Sequence, residues 1–188
     1  MPLNVLLLGP QGAGKGTQAK RISAEYGIPH IASGEILRAE MDAGTELGKR
    51  VKETIERGDL VSDDLMIELI RHRLEQPDTD AGFVLDGFPR TIVQAEALDS
   101  MFADIGKNFS VAFALQIPDE VAFDRLRRRA RADDTDEAIQ RRLDNYHRET
   151  EPLIEFYRTR GNVVPIHANR SENEVFAEVQ SALEQVPA

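Results

Sequence analysis

The 188-residue sequence predicts an α/β fold, a three-layer sandwich in which helices cover both faces of a five-stranded parallel sheet. Short apolar runs alternate with longer amphipathic stretches, which is the pattern of a parallel sheet wrapped by helices. A hydrophobic fraction of 41% can supply a core of the size that one domain needs. The runs that predict buried strands are Val5–Leu8, His30–Ala32, Phe83–Leu85, Val111–Ile117 and Val163–Ile166.

The first helix follows the first strand through a glycine-rich turn. The pattern predicts that it begins near Gly14 and ends at Gly27, since glycine commonly terminates helices. Helical spacing would place Ala19, Ile22 and Tyr26 on one face.

About three helices are predicted between the second and third strands, where one crossover helix would suffice. Ser33 and Thr45 can cap two of them, and the second of these should end near Gly58. Ser62 can cap another, which stops before Pro77. The surplus indicates a helical arm inserted over one edge of the sheet.

A second interruption lies in the segment 125–136. There an arginine-rich helix stops and another begins at Thr135 or Asp136. Ser171 and Glu174 form an S-x-x-E capping box that starts the last helix. No linker separates these features, so we expect residues 1–188 to form a single domain.

Composition excludes several classes of protein. The chain has 23 Lys plus Arg against 33 Asp plus Glu, a net charge of −10, which would repel nucleic acid and anionic lipid. No apolar run approaches the roughly 20 residues of a membrane span. Cysteine is absent, so disulfides and thiolate metal sites are excluded. We expect a cytoplasmic protein, and a monomer because no heptad pattern or long apolar stripe is present.

The turn after the first strand, Gly9-Pro10-Gln11-Gly12-Ala13-Gly14-Lys15-Gly16-Thr17, has the G-x-x-x-x-G-K spacing of a phosphate-binding loop, or P-loop. Glycines let backbone N–H groups turn towards a phosphate, and the following helix N-terminus adds positive potential. Lys15 can follow a phosphoryl group. The alternative is an ordinary glycine-rich turn between strand and helix. The residues predicted to hold the phosphates are Gly12, Ala13, Gly14, Lys15, Gly16 and Thr17.

One position departs from the general motif and bears on Mg²⁺. Gly16 follows the lysine, where such loops usually carry the Ser or Thr that binds the ion. Mg²⁺ would then be held mostly by water and nucleotide oxygens. Asp86, at the carboxyl end of the third strand, is the best candidate to hold those waters, although it could instead cap a turn or helix.

Three stretches together resemble the adenylate kinase family: Gly12-Ala13-Gly14-Lys15-Gly16-Thr17-Gln18, Asp86-Gly87-Phe88-Pro89-Arg90-Thr91 and Arg129-Ala130-Arg131-Ala132-Asp133-Asp134. The resemblance runs from Val5 to about Phe176. It implies the P-loop sandwich, and reversible transfer of a phosphoryl group from Mg·ATP to AMP, which gives two ADP and maintains the adenine nucleotide balance.

In-line transfer between two polyanions requires fixed cations rather than a nucleophilic side chain, and the planar guanidinium suits phosphate oxygens. The resemblance implies that the AMP phosphate or the transferring group is held by Arg38, Arg90, Arg131 and Arg142. It places Arg125 and Arg129 against the ATP phosphates. The implied catalytic set is Lys15, Arg90, Arg125, Arg131 and Arg142. The alternative for the segment 125–131 is a solvated basic face, which we expect for Arg127 and Arg128.

The resemblance also implies contacts to the nucleotides beyond their phosphates. For AMP these are Ser33, Asp59, Leu60, Val61, Gly87, Phe88, Pro89 and Gln94, although Leu60 and Val61 could equally be core residues. Gln94 offers the donor and the acceptor that an adenine edge needs. Arg170 is placed with ATP, at a position where the family often has Gly.

Two inserted segments are expected to cover the site. The resemblance makes 32–61 the AMP-binding arm and 129–133 a short lid, because longer members carry a β lid there, often with four zinc-binding cysteines. No zinc is therefore expected. The four histidines, His30, His72, His147 and His167, lack ligand spacing and should be structural or solvent-facing.

Other kinases share this pattern. Relatives that phosphorylate UMP or CMP usually have Asn where this chain has Thr91. Kinases of small metabolites form another alternative, but an acceptor without a phosphate would not need four arginines to hold it. A nucleotide-dependent switch would require a water-positioning residue, which the sequence does not reveal.

Overall fold

The computed structural model describes residues 2–161 and 163–186, and it confirms the predicted α/β sandwich. All strands pair in parallel, in the order β2-β3-β1-β4-β5. The strands are β1 Leu3–Leu8, β2 His30–Ala32, β3 Gly82–Asp86, β4 Val111–Gln116 and β5 Val163–His167. Each predicted strand is present, with its ends moved by no more than two residues.

Helices connect the strands and cover both faces of the sheet. Their bounds are α1 Lys15–Tyr26, α2 Ser33–Asp42, α3 Glu46–Glu56, α4 Asp63–Leu74, α5 Ile92–Ile105, α6 Asp119–Arg129, α7 Asp136–Asn145, α8 Pro152–Arg158 and α9 Glu172–Leu183. A 3-10 turn occupies Pro77–Thr79, and a π-helical turn at Tyr146–Thr150 joins α7 to α8. None of the helices in the described part of the chain is long and apolar enough to cross a membrane.

The central strand β1 explains the three layers. Leu6 and Leu8 point to one face of the sheet and join a core with residues of α4, α5 and α8. Val5 and Leu7 point to the other face and join a core with residues of α1 and α9. Because a parallel strand is buried on both faces, its sequence is apolar without alternation, which is why the runs were visible in the sequence.

The first helix has the predicted ends, and its predicted face is buried over only part of the helix. Gly14 and Gly27 flank it in left-handed conformations, with φ of 90° and 65°. Ala19 and Ile22 are fully buried. Tyr26, on the same face by spacing, is 38% exposed, so burial of this face ends before the last turn of the helix.

The helix starts were predicted with mixed success. The Thr45 hydroxyl accepts a hydrogen bond from the Gly48 amide at 3.0 Å, and the Ser171–Glu174 capping box is present. Ser62 occupies the position before α4 without making a side-chain cap. Ser33 does not cap α2: it is the first residue of the helix, and its hydroxyl donates instead to the Gly87 carbonyl at 2.8 Å. This tertiary bond competes with capping and ties α2 to the end of β3.

Three helices, α2, α3 and α4, lie between β2 and β3, as predicted. The pair α2 and α3 packs closely, since a Cβ atom on Gly48 would lie 2.1 Å from the Glu40 carbonyl oxygen. The second interruption is short. Helix α6 ends at Arg129, Ala130 adopts a left-handed conformation with φ of 52°, and α7 begins at Asp136.

Candidate active site

The loop between β1 and α1 has the geometry of an anion cradle. Gly9, Gly12 and Gly14 have φ values of 138°, 85° and 90°, a region that side chains rarely tolerate. Lys15 is the first residue of α1, and its ammonium donates to the carbonyls of Gly9 at 2.8 Å and Pro10 at 2.9 Å. The lysine is therefore folded over the loop that leads into the helix N-terminus.

The surroundings of Lys15 disfavour its charged form. Burial lowers the pKa of Lys15 to about 8, the charge of Asp86 opposes that shift, and the charges of Arg90 and Arg129 lower it further. The negative charge of a bound polyphosphate would stabilise the charged ammonium of Lys15 and so offset the effect of burial.

Asp86 lies at the carboxyl end of β3, directly beside the loop. One of its oxygens, Oδ2, is 3.6 Å from the point where a Cβ on Gly16 would lie, and 3.5 Å from His30 Nε2. Burial alone would raise the pKa of Asp86, but the His30 hydrogen bond and the charges of Lys15 and Arg90 hold it below its usual value. The carboxylate is therefore ionised at neutral pH.

A cavity of about 800 Å³ opens at the carboxyl edge of the sheet. It extends from the segments that follow β2 and β3, across the loop after β1, to the segments that follow β4 and β5. The crevice outside the carboxyl ends of the strands is where open α/β sheets bind ligands. The predicted site residues that line it are Gly12, Ala13, Gly14, Lys15, Gly16, Thr17, Ser33, Arg38, Asp59, Leu60, Val61, Asp86, Gly87, Pro89, Arg90, Gln94, Arg125, Arg129, Arg131, Arg142 and Arg170.

Phe88 is the exception among the predicted residues. Its side chain is fully buried in the core with residues of α4 and α5. The motif Asp86–Thr91 does not distinguish residues that line the site from residues that support it, because consecutive side chains after a strand need not face the same way. Phe88 therefore supports the loop from beneath rather than lining the cavity.

Arg90 is held rigidly on the β3 side of the cavity. Its Nε donates to the Gly87 carbonyl at 2.8 Å, its amide donates to Gln94 Oε1 at 2.8 Å, and its carbonyl accepts from the Thr150 hydroxyl at 2.8 Å. Burial lowers the pKa of Arg90, and burial together with the charge of Arg131 lowers the pKa of Arg38. These guanidiniums share one cavity and repel one another, which favours an anionic ligand between them.

The segment between α6 and α7 is organised by Asp134. Arg129 donates to this carboxylate from Nε at 2.9 Å and from Nη2 at 2.7 Å, and Arg142 donates from Nη1 at 2.6 Å. Arg142 also contacts the carboxylate of Asp133 and is itself 6% exposed. The Arg131 amide donates to Asp134 at 3.1 Å, while the Arg131 side chain is exposed at the cavity.

Arg125, on α6, connects the β1–α1 loop with the segment that follows β5. It donates to the Gly12 carbonyl at 3.3 Å and to the Ala168 carbonyl at 3.1 Å. Arg127 and Arg128, by contrast, are exposed and do not line the cavity. The arginine-rich segment is thus divided: one side of it faces the cavity, and the other is the solvated face that the alternative described.

The residues predicted to read the acceptor base make bonds within the protein. Gln94 donates from Nε2 to Asp63 Oδ1 at 2.8 Å in addition to accepting from Arg90, and the Ser33 hydroxyl is engaged with Gly87. Leu60 and Val61 both line the cavity, and Val61 also packs against the core.

Other cavity-lining residues were not selected from the sequence. They include Lys20, Ile55, Met66, Asn145 and Tyr146. Each belongs to a helix or to the π-helical turn, where a single residue carries no motif. Only the folded arrangement of α3, α4 and α7 brings them to the cavity.

The histidines lie outside the cavity lining. His30 is buried against Asp86, whereas His147 is exposed and bonds to Asp119 and Glu151 at 2.9 and 2.8 Å. Within residues 2–161 and 163–186, His and acidic side chains form no group of three or more that could hold a metal ion.

Comparison with known proteins gives a consistent result. The sequence model of a family described as adenylate kinase matches residues 7–162. A curated "Adenylate kinase" of Phocaeicola vulgatus is 43% identical over 188 residues, covering 98% of this chain and 100% of the relative. One of Stenotrophomonas maltophilia (strain K279a) is 42% identical, covering 96% and 99%. One of Methanosarcina barkeri is 39% identical over 213 residues, covering 97% and 99%.

Proposed function

The chain belongs to the adenylate kinase family, and from that premise we propose how the cavity carries out the reaction. The enzyme is a nucleoside monophosphate kinase that moves a phosphoryl group reversibly between adenine nucleotides. We assign ATP to the side of the cavity that follows β4 and β5, and AMP to the side that follows β2 and β3. The transferring group then lies over the β1–α1 loop between them.

The observation that carries the proposed phosphoryl transfer is the cluster of cations around the loop. Lys15, Arg38 and Arg90 have lowered pKa values, with burial as the leading cause, and they line one cavity. Such a site is complementary to the negative charge that phosphoryl transfer spreads over the oxygens of the moving group.

The transfer itself requires no nucleophilic side chain. An oxygen of the AMP phosphate forms the new bond to the γ-phosphorus of ATP, the bond from that phosphorus to the bridging oxygen breaks, and ADP leaves with the electron pair. Arg38, Arg90 and Arg142 hold and orient the attacking phosphate. Lys15 follows the transferring group, and Arg125 and Arg129 neutralise the charge that grows on the leaving diphosphate.

The residues around the β1–α1 loop are suited to hold a Mg²⁺ ion that enters with ATP. The Asp86 carboxylate is ionised and lies beside Gly16 of the loop, so it would hold waters of the ion while the nucleotide oxygens supply direct ligands. The ion would neutralise phosphate charge. We expect removal of Mg²⁺ to abolish transfer, while a zinc chelator should change neither activity nor melting temperature. A zinc-dependent melting shift would contradict this reading.

Two segments are proposed to close over the nucleotides. The arm 32–61 and the lid 129–133 contribute Arg38 and Arg131, and ATP would be hydrolysed unless water were excluded. We further propose that the protein is cytoplasmic and acts as a monomer, which its acidic composition and the lack of a heptad pattern in its sequence favour. Neither nucleic acid nor a membrane is an expected partner.

The test is a coupled assay with Mg·ATP and each nucleoside monophosphate in turn. AMP should be the preferred acceptor, and ADP with Mg²⁺ should yield ATP and AMP in the reverse direction. Preference for UMP or CMP would place the chain with the pyrimidine monophosphate kinases instead. No transfer to any monophosphate would overturn the proposal.

A further inference from the structure

The side-chain amide of Gln94 is held at both ends by partners that can act in only one way. Its Oε1 accepts from the backbone N–H of Arg90 at 2.8 Å, and its Nε2 donates to Oδ1 of Asp63 at 2.8 Å. A backbone N–H can only donate a hydrogen bond, and a carboxylate can only accept one. The partners therefore determine which end of the amide is oxygen and which is nitrogen, although the two ends have nearly the same shape.

Asp63 is held by a second bond and lies outside the main cavity. It is the first residue of α4, and its Oδ1 also accepts from the Thr91 hydroxyl at 2.9 Å. The same hydroxyl accepts from the Gln94 backbone N–H at 3.2 Å, where it caps α5. Asp63 and Thr91 line a smaller cleft, whereas Gln94 lines the main cavity and is 2% exposed. Asp63 therefore acts on a nucleotide in the cavity through Gln94 rather than by contact.

Turning the Gln94 amide over would break both of its bonds. Its nitrogen would then face the Arg90 N–H, and its oxygen would face the Asp63 carboxylate. Two donors in contact repel each other, as do two acceptors, and the buried groups would lose their partners. The two bonds therefore hold one orientation. Each end of the amide keeps one further hydrogen-bonding position, a lone pair on Oε1 and an N–H on Nε2.

An amide with a fixed orientation can distinguish two classes of purine base. At position 6 adenine carries an amino group that donates, whereas guanine and hypoxanthine carry a carbonyl oxygen that accepts. At the neighbouring N1, adenine accepts a hydrogen bond and the 6-oxo purines donate one. The two classes therefore require opposite orientations of an amide that faces both atoms. A site that cannot turn its amide rejects the wrong class, because its polar groups would be left unpaired.

We propose that Asp63 fixes the orientation of the Gln94 amide and thereby makes the monophosphate site select 6-amino over 6-oxo purines. The inference deepens the proposed function and rests on it, because it takes the β2 and β3 side of the cavity as the side of the monophosphate. Asp63 is a positioning residue, and Gln94 is the residue that contacts the base.

The experiment compares kcat/KM for AMP and for IMP, with Mg·ATP as the donor. IMP carries hypoxanthine in place of adenine, so it differs from AMP only at the edge of the base that Gln94 is proposed to contact. The wild type should favour AMP at least about 100-fold. Asp63→Asn keeps the size of the side chain, but its amide can donate as well as accept and so tolerates both orientations of Gln94. Its preference for AMP should be about tenfold smaller.

Asp64→Asn is the matched control, because Asp64 is the next residue of α4, is exposed, and lines neither the cavity nor the smaller cleft. Its preference for AMP should stay within about twofold of the wild type. Asp63→Ala also removes the carboxylate and should reduce the preference as the asparagine variant does. It decides the question if that variant does not fold.

A double variant separates positioning from a general loss of structure. Gln94→Ala should remove most of the preference for AMP, and adding Asp63→Asn should not change the AMP-to-IMP ratio further, because Asp63 acts through Gln94. An unchanged ratio in the Asp63 variants would overturn the inference. A change in that ratio that persists without Gln94 would overturn it too.

Wild-type transfer from ATP to AMP is measured first. Its absence would overturn the proposed function, whereas transfer to AMP and IMP with equal efficiency would overturn this inference alone.

Discussion

Lys15 is the residue on which the reaction depends most directly. Its ammonium is partly buried and bonded to two loop carbonyls, which it can exchange for phosphate oxygens. We expect Lys15→Ala to lower kcat by about 10³-fold, the scale of a lost preorganised electrostatic contact. Its melting temperature should stay close to that of the wild type, because the substitution also removes the cost of burying a charge.

A steady-state assay with ATP and AMP checks this expectation. Lys52→Ala is the control, since Lys52 is exposed on α3 and does not line the cavity. Near-normal turnover of the Lys15 variant would contradict the phosphate-loop assignment.

The lowered pKa of Lys15, about 8, also predicts a pH dependence. Below that pKa the ammonium is charged in the free enzyme, and above it the cation is lost. We therefore expect kcat/KM for ATP to fall as the pH rises above about 8, while kcat holds to higher pH because bound polyphosphate raises the pKa of Lys15. The two pH profiles are measured in parallel.

Lys15→Arg provides the comparison for those profiles, since a guanidinium remains charged throughout this range. The alkaline fall in kcat/KM should disappear in this variant, whatever its absolute rate. A wild-type profile that is flat through pH 9, or a fall that persists unchanged with arginine, would exclude Lys15 as the titrating group.

At the scale of residues, motif spacing and the family resemblance named many of the residues that line the cavity, and the differences from the structure have physical causes. The loop Gly9–Thr17 and the run Asp86–Arg90 were visible because phosphate chemistry demands particular residues at fixed separations. The burial of the Phe88 side chain in the core was not foreseen, because a motif does not say which way each side chain faces. Asp63 and Thr150 could not be found, since their contacts join segments far apart in the chain.

At the scale of elements, the connection between α6 and α7 depends on one carboxylate. Burial would raise the pKa of Asp134, but hydrogen bonds from Arg129, Arg142 and the Arg131 amide, with the charge of Arg129, hold it low. Asp134→Ala would leave two arginines without this partner. We expect kcat to fall about 10- to 100-fold and the melting temperature to drop, because Arg129 and Arg142 lose the shared hydrogen-bond partner that positions them and Arg142 keeps only Asp133.

Asp136→Ala serves as the control for that variant. Asp136 is exposed and pairs with Arg127 outside the cavity, so its removal should leave kcat within about twofold of the wild type. Equal effects of the two substitutions on kcat would show that Asp134 has no special part in shaping the lid.

Helices and strands were predicted well where burial imposes a pattern of apolar residues. They were predicted less well where a hydrogen bond to a distant segment replaces a local capping bond. The five strands are apolar because both faces are covered. The start of α2 was misread because the Ser33 hydroxyl bonds to Gly87 rather than to its own helix. The exposure of Tyr26 likewise reflects where packing against the sheet ends, which helical periodicity alone does not indicate.

At the scale of the whole molecule, the sheet order places two groups of cavity-lining segments on either side of one loop. Segments after β2 and β3 and segments after β4 and β5 line the same cavity. We propose that both nucleotides occupy this cavity together and meet over the β1–α1 loop. The arm 32–61 and the lid 129–133 then close on them.

Two adenosines joined by five phosphates test that claim most directly, because such a molecule can fill both halves at once. Titration calorimetry should give one molecule bound per chain, with a Kd at least about 100-fold below that for ATP, and competition with both ATP and AMP. Limited proteolysis of the same samples should show the arm and the lid protected only when the compound is bound. Binding no tighter than ATP, or equal protection of both segments in the empty protein, would contradict the account.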